Sequence, residues 1–85
     1  MKFRISDHVE AECERRQIPL NVLQIVLEQP EQVVPVERGR VAYQSRVQFE
    51  DKTYLVRAIV DASVAPAAVI TVYRTSKIEK YWSES

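Results

Sequence analysis

Residues 69–82 read Val-Ile-Thr-Val-Tyr-Arg-Thr-Ser-Lys-Ile-Glu-Lys-Tyr-Trp, a strand-like run that turns into a basic, aromatic tail. The β-branched residues at its start favour a pleated, half-buried strand, so we expect the first part to lie inside a sheet. Arg74, Lys77 and Lys80 follow at a spacing of three, which would align them along one side of a helical turn. The stretch therefore predicts a last strand over residues 67–73 and a short C-terminal helix.

A segment earlier in the chain alternates between apolar and mostly polar side chains. Val41, Tyr43, Val47 and Phe49 share one face of a predicted strand over residues 41–50, which indicates a half-buried strand. The opposite, water-facing side is predicted to carry Ala42, Gln44, Arg46, Gln48 and Glu50.

Three further segments complete the predicted sheet. Residues 53–60 are apolar on both faces apart from Arg57, which predicts a central strand. Residues 32–36 contain Pro35, which is typical of an edge strand, and residues 2–5 could add a short edge strand. Gly39, the only glycine of the chain, fits a tight turn between strands.

Two helices are predicted to precede these strands. Ser6 or Asp7 is a suitable N-cap for a helix over residues 7–16, and Pro19 disfavours helical geometry in the residue before it. Residues from 19 or 20 to 28 are apolar on nearly every side, which predicts a second, well-covered helix. The chain thus predicts an α+β fold in which two N-terminal helices pack on a twisted antiparallel sheet of about four strands, with a short C-terminal helix.

Length and composition limit the function. The 85 residues form one domain, 1–85, and the 12 acidic and 12 basic side chains cancel. Nucleic-acid binding would therefore have to come from local clustering of charge. Cys13 is the single cysteine and cannot form an internal disulfide, which favours a reducing compartment. Its spacing of four from Val9 favours core packing. A charged start and the lack of a long apolar run predict a cytoplasmic protein without membrane association.

The chain lacks the residues that several classes of catalytic site require. One histidine and one cysteine cannot build a zinc site, and one glycine excludes a glycine-rich phosphate loop. A serine triad would need a nucleophile motif, which the chain does not contain. We therefore expect no metal and no cofactor.

Arg57 is the most informative candidate residue. An arginine in the middle of a central strand must be paired or directed at a ligand, because an unpaired buried charge is costly. The sequence leaves both alternatives open, with Glu12, Glu28 and Asp61 as the candidate partners.

Two N-terminal residues also have alternative roles. His8 lies in the first turn of the first predicted helix, where it could be a general acid or base or a surface capping residue. Arg16 ends that helix, where positive charge complements the helix dipole, and it could also contribute to the rim of a cleft.

The aromatic residues of the tail allow two interpretations. Tyr73 and Tyr81, interleaved with Arg74, Lys77 and Lys80, suit stacking on unpaired bases with cations on the phosphates. Alternatively, the tail docks its helix on the sheet through three apolar side chains, those of Ile78, Tyr81 and Trp82.

The order of motifs resembles a family of short bacterial proteins known only as a domain of unknown function. The shared motifs are an early Ser/Thr-x-His, a helix end Glu/Arg-Arg-x-Ile, an x-Pro-x-x-Val entry to the sheet and a late Ile-Thr-Val-Tyr strand. In this chain they occupy residues 6–8, 14–18, 29–33 and 70–73, so the resemblance spans nearly the whole chain. That family is similar to the RelE/ParE/BrnT-type toxin superfamily.

The resemblance implies a function as well as a RelE-like fold. Toxins of this superfamily that cut RNA do so without a metal, by attack of the ribose 2′-hydroxyl on the adjacent phosphate, whereas some members bind gyrase. This chemistry needs a proton acceptor, a proton donor and cations for the developing negative charge. The resemblance therefore implies a toxin-type endoribonuclease with a cognate antitoxin as partner and RNA, with ribosome-bound mRNA as one candidate, as substrate. The alternative, which the zero net charge favours, is a non-catalytic protein-binding module on the same fold.

The resemblance also implies roles for individual residues. Arg57, with Arg74 or Lys77, would hold the phosphate, and a histidine or tyrosine would exchange protons. The catalytic candidates are His8, Arg57, Tyr73, Lys77 and Tyr81, and the RNA-binding candidates are Arg16, Arg40, Arg74 and Lys80.

Overall fold

In the computed structural model, which describes residues 2–84, three α-helices and five β-strands form a mixed α+β fold. The elements are β1 (Phe3–Arg4), α1 (Asp7–Arg15), α2 (Leu20–Glu28), β2 (Gln32–Pro35), β3 (Val41–Gln48), β4 (Thr53–Asp61), β5 (Ala67–Thr75) and α3 (Ile78–Tyr81). None of the helices in this part of the chain is long and apolar enough to cross a membrane.

The five strands form one sheet in the order β1-β5-β4-β3-β2. β4 is central and β2 lies at an edge, as predicted, and neighbouring strands from β2 to β5 are antiparallel. The prediction of about four antiparallel strands is wrong in one respect, because β1 adds a fifth strand that runs parallel to β5. The sequence suggested a short edge strand at residues 2–5, and β1 confirms it at the edge of the sheet. Its parallel direction depends on pairing with a strand at the other end of the chain.

Local hydrogen bonds set the limits of α1. The Ser6 hydroxyl accepts from the Val9 N–H at 3.2 Å, so Ser6 is the N-cap. At the other end Gln17 adopts a left-handed conformation with φ of 57°, and the Ile18 N–H donates to the Cys13 carbonyl at 2.8 Å. This pattern is a Schellman-type helix end, so α1 ends at the turn that precedes Pro19.

The main core lies between the two N-terminal helices and one face of the sheet. α1 packs against β5, and α2 packs against β3 and β4. We call this side the helix face; its buried strand residues are Val56, Ala58, Val60, Val69 and Val72. Cys13 is 1% exposed and belongs to this cluster, as predicted. Full burial of each large apolar side chain here stabilises the fold by about 1.5–3 kcal/mol.

The opposite face of the sheet is also covered. We call it the tail face, because the C-terminal segment from Ile78 to Ser83 lies against it. Gln44 donates from Nε2 to the Tyr81 carbonyl oxygen at 3.1 Å, and both Ala42 and Gln44 are 0% exposed. The prediction that these two residues face water is therefore wrong, because it took no account of the tail; Arg46 and Gln48 are exposed as expected.

Candidate functional site

A row of polar side chains crosses four strands on the tail face. Gln32 pairs with Gln44, Gln44 with Arg57, and Arg57 with Tyr73. Directly paired residues of neighbouring strands project from the same side of a sheet, so the sheet register alone brings these side chains together. We call these four residues the polar row.

Hydrogen bonds join the members of the polar row. Arg57 donates from Nε to Gln44 Oε1 at 2.8 Å and from Nη1 to Tyr73 Oη at 2.5 Å. Gln44 donates from Nε2 to Gln32 Oε1 at 2.8 Å. The guanidinium of Arg57 is therefore fixed on two sides by neutral groups.

The positive charge of Arg57 has no carboxylate partner among residues 2–84. The side chain is 6% exposed, yet the ion pairs in this part of the chain are His8 with Glu12 and Arg46 with Glu31. The candidate partners Glu12, Glu28 and Asp61 thus do not pair with it. A buried cation with only neutral partners is unfavourable for the fold, which favours the alternative that Arg57 is directed at an anionic ligand.

The C-terminal segment contacts the polar row directly. The Tyr81 ring centroid lies 4.3 Å from Arg57 Cζ, and the Tyr73 and Tyr81 rings meet edge to face at 6.2 Å. Gln32 anchors the segment, because its amide donates to the Ser83 carbonyl oxygen at 2.8 Å and accepts from the Ser83 N–H at 3.1 Å. Tyr81 therefore docks the tail on the sheet, as one of the two interpretations predicted, and its ring also lies beside Arg57 at the candidate site.

Trp82 has the docking role alone. Its ring lies 4.2 Å from the Cζ atom of Arg46, whose guanidinium is paired with Glu31. The cation–π contact fixes the end of the tail beside β3. Trp82 does not line the groove described next.

A groove of about 530 Å³ opens beside Arg57 on the tail face. It is lined by Val36, Glu37, Arg38, Arg40, Arg57, Ile59, Tyr73 and Tyr81. Three arginines and one glutamate give this groove a local excess of positive charge, although the chain as a whole is neutral. Because the net charge is zero, binding of a nucleic acid would depend on such a local cluster of positive charge.

The groove contains four predicted site residues, Arg40, Arg57, Tyr73 and Tyr81, and one that the sequence analysis missed, Arg38. Arg38 lies in the turn between β2 and β3, two residues before Arg40. Val41, which follows the turn, pairs with Val60, three residues beyond Arg57 in β4, so only the sheet register brings Arg38 near Arg57.

Arg74 lies on the helix face, away from the groove. It pairs with Val56, and its Cζ atom lies 4.3 Å from the Phe49 ring centroid and 4.6 Å from that of Tyr54. β5 extends to Thr75, so Arg74 and Tyr73 point to opposite sides of one strand. The predicted alignment of Arg74 with Lys77 and Lys80 along one helical side is therefore wrong.

The two lysines of the tail are exposed. Lys77 precedes α3 and donates its backbone N–H to Thr75 Oγ1 at 3.1 Å. Lys80 Nζ lies 5.3 Å from the Tyr81 ring centroid. Neither side chain lines the groove, although Lys80 is close enough to add positive potential behind Tyr81.

His8 and Arg16 lie at the outer edge of β5. Arg16 donates from Nη1 to the Val72 carbonyl oxygen at 2.7 Å, and Glu12 Oε1 accepts from the Val72 N–H at 3.4 Å. The side chains of Glu12 and Arg16 thus form hydrogen bonds with backbone groups that an open strand edge would leave unpaired. His8 Nε2 lies 3.3 Å from Glu12 Oε2, and the side chain of His8 is 72% exposed. His8 is thus part of this edge contact and does not line the groove.

Glu12 connects the edge to the tail face. Its Oε1 atom also accepts from the Thr71 hydroxyl at 2.8 Å, and Thr71 precedes Tyr73 by two residues, about 7 Å along the strand. Burial raises the pKa of the Glu12 carboxyl. The hydrogen bonds from Thr71 and Val72, together with the charges of Arg16 and His8, lower this pKa by more than burial raises it. The net pKa lies below its ordinary value, so ionised Glu12 stabilises the fold.

Replacement of Glu12 by glutamine should destabilise the fold at neutral pH by about 1 kcal/mol, because charge-assisted hydrogen bonds to Thr71 and Val72 become neutral ones. A lowered pKa in the folded state means that the stabilisation is complete above the unfolded value of about 4.3 and is lost as the pH falls through the folded value. Urea denaturation at pH 7 and at progressively lower pH measures the difference. Glu14→Gln, an exposed change on the same helix, is the control. Equal stability of Glu12→Gln and wild type at pH 7 would contradict the assignment.

Comparison of the chain with protein-family models, with curated proteins and with solved structures finds no match. The chemistry of the groove is therefore the guide to function. A fixed arginine can bind two oxygens of a phosphate, and a tyrosine hydroxyl beside it can exchange a proton with a bound group. The turn arginines Arg38 and Arg40 extend positive potential along the groove, and the rings of Tyr73 and Tyr81 offer apolar surfaces for stacking.

Proposed function

We propose that this protein is a metal-independent endoribonuclease of the toxin type. The observation that carries the proposal is the buried Arg57, which has no carboxylate partner among residues 2–84, bonds the Tyr73 hydroxyl and lines a basic groove. An arginine kept at this position at a cost to the fold is explained by a phosphate that it binds.

Arg57 binds the phosphate that is to be cleaved. Nε and one Nη1 hydrogen are used by Gln44 and Tyr73, so the remaining N–H groups can donate to the non-bridging phosphate oxygens. As the 2′-hydroxyl oxygen attacks phosphorus, negative charge grows on those oxygens, and the fixed cation stabilises it without having to reorganise.

Tyr73 acts as the proton donor. Its Oη atom accepts from Arg57, which leaves its own O–H free to donate to the departing 5′-oxygen. Tyr81, whose ring packs on Arg57, is the candidate to accept the 2′-hydroxyl proton. The phosphorus–5′-oxygen bond breaks as the new bond forms, so the products are a 2′,3′-cyclic phosphate and a 5′-hydroxyl.

A place in a toxin–antitoxin system is part of this proposal. Two N-terminal helices on a largely antiparallel sheet support likeness to the RelE/ParE/BrnT-type superfamily. Such a protein would act on RNA in the cytoplasm and be neutralised by a cognate antitoxin. A binding site for the antitoxin that overlaps the groove would cover Arg57 and exclude RNA.

Induced expression in a bacterial host tests the proposal directly. We expect wild type to arrest growth and to produce RNA fragments, and Arg57→Ala to do neither, because the phosphate loses its buried cation. Purified wild type should cleave a single-stranded RNA in the presence of EDTA and leave cyclic phosphate ends, which mass spectrometry detects. Substitution of every 2′-hydroxyl by 2′-O-methyl should abolish cleavage. Intact RNA in both assays would refute the proposal.

A non-catalytic protein-binding module is the second candidate function. Leu20, Ile25 and Val33 are 45%, 56% and 49% exposed, so a partner protein that docks on them would bury apolar side chains. Under this alternative Ile25→Glu would abolish capture of a partner, whereas Arg57→Ala would not. The two candidates therefore respond to opposite substitutions.

A further inference from the structure

The turn between β2 and β3 holds Arg38 in an unusual conformation. Arg38 has φ of 64° and Gly39 φ of 72°, both in the left-handed region. The turn is closed by the Val36 N–H, which donates to the Arg40 carbonyl oxygen at 2.9 Å, and by the Arg40 N–H, which donates to the Glu37 carbonyl oxygen at 3.3 Å. Asparagine or glycine is the usual residue at a position such as that of Arg38, because glycine has no Cβ atom to crowd the backbone there and the short polar side chain of asparagine can form local hydrogen bonds.

Both turn arginines face the groove that contains Arg57. Neither makes an ion pair within residues 2–84, and Glu37 is the one acidic residue in the lining. Arg40 also acts on Asp61, whose pKa is lowered mainly by hydrogen bonds from Ser63 and to a smaller extent by the charge of Arg40. The turn therefore adds positive charge to the groove from a second element of the fold.

We propose that Arg38 and Arg40 bind a second phosphate, next to the one at Arg57, so that the ligand is an unpaired strand of at least two consecutive phosphates. This inference rests on the proposed function. One phosphate would occupy Arg57 and Tyr73 alone, whereas a groove of about 530 Å³ with cations on two walls has room for a dinucleotide unit. The Tyr73 and Tyr81 rings supply stacking surfaces that accept any base.

Binding of a probe that cannot be cleaved tests the second site. A fluorescent, single-stranded 2′-O-methyl oligonucleotide lacks the attacking hydroxyl, and its anisotropy reports affinity as salt is varied. For Arg38→Asn with Arg40→Gln we expect about tenfold weaker binding and a slope of log K against log salt that is shallower by about 0.7, as the loss of one phosphate contact requires. Arg15→Gln, an exposed change on α1, should alter neither.

Two further measurements keep the result unambiguous. Asparagine suits the conformation of residue 38, so the variant should melt at or above the temperature of wild type, and weaker binding is then not unfolding. Uridine 3′-monophosphate carries one phosphate, so its affinity should be unchanged in the variant and lost in Arg57→Ala.

The outcomes separate this inference from the proposed function. If wild type cleaves RNA and the turn variant binds the probe with the same affinity and slope, the second phosphate site is refuted and the ribonuclease proposal stands. If the turn variant binds more weakly but wild type cleaves no RNA, the site is supported and catalysis is refuted. A wild type that does not bind the probe refutes the site.

Discussion

Under the proposed mechanism, replacement of Arg57 by lysine should lower the rate of RNA cleavage by about 10²–10³-fold, the loss that follows removal of a fixed donor to a developing oxyanion. Lysine keeps the positive charge but replaces a planar fork of donors by one flexible ammonium. It cannot hold Gln44, Tyr73 and a phosphate in the geometry that Arg57 provides. Single-turnover rates at saturating protein measure the effect on the chemical step apart from binding.

The lysine variant distinguishes geometry from charge. Its affinity for the 2′-O-methyl probe should fall much less than its cleavage rate, because the charge at the site is kept. Arg15→Lys is the matched control, since Arg15 is exposed on α1 and should change neither quantity. A circular dichroism melt of each variant shows whether the fold is intact. A lysine variant that cleaves at the wild-type rate would mean that only charge at residue 57 matters and would contradict the mechanism.

Much of this site could be predicted from the sequence, because its main residues stand out within single strands. Arg57 in the middle of an otherwise apolar strand is a candidate site residue from the sequence alone. The central position of β4 and the burial of Arg57 confirm the predicted apolar environment. Tyr73 lies in the β-branched run that predicts the last strand, and its pairing with Arg57 is a consequence of the antiparallel register. Alternation and charge in an apolar context are short-range signals.

Other parts of the site depend on contacts between distant segments, which the sequence pattern does not encode. Gln44 looks like a water-facing residue in β3, and only the tail from Ile78 to Ser83 makes it fully buried. Arg74 has the charge and spacing of a phosphate ligand. Because β5 continues two residues beyond the predicted strand end, Arg74 lies in the strand and its side chain projects from the helix face. Arg38 was missed because a turn residue has no periodic neighbours, and its relation to Arg57 appears only when β2, β3 and β4 are side by side.

The mutual dependence of the tail and Arg57 has a physical consequence. Gln44 contacts both, since its Oε1 accepts from Arg57 while its Nε2 donates to Tyr81 and Gln32. A fully buried amide with every group bonded fixes one orientation, because any flip would place donor against donor. The guanidinium of Arg57 is therefore presented to the groove in one orientation only while the tail is docked.

Under the same proposed mechanism, replacement of Tyr73 by phenylalanine should lower the rate of RNA cleavage by about 10²–10⁴-fold, the range for loss of a general acid. The substitution removes one hydroxyl and keeps the ring, so the edge-to-face contact with Tyr81 and the packing of β5 persist. Tyr81→Phe is the matched comparison. Its hydroxyl makes no hydrogen bond within residues 2–84, so its effect on the rate measures proton acceptance from the 2′-hydroxyl alone.

A substrate with sulfur in place of the 5′-bridging oxygen decides whether Tyr73 donates the proton. A thiolate leaves readily without protonation, because the pKa of a thiol is about 8.5, far below that of an alcohol. If Tyr73 is the general acid, Tyr73→Phe should cleave this substrate at nearly the wild-type rate, while Arg57→Lys should remain slow, since charge on the non-bridging oxygens still needs stabilisation. A phenylalanine variant that is equally impaired on both substrates would instead mean that the Tyr73 hydroxyl only positions Arg57.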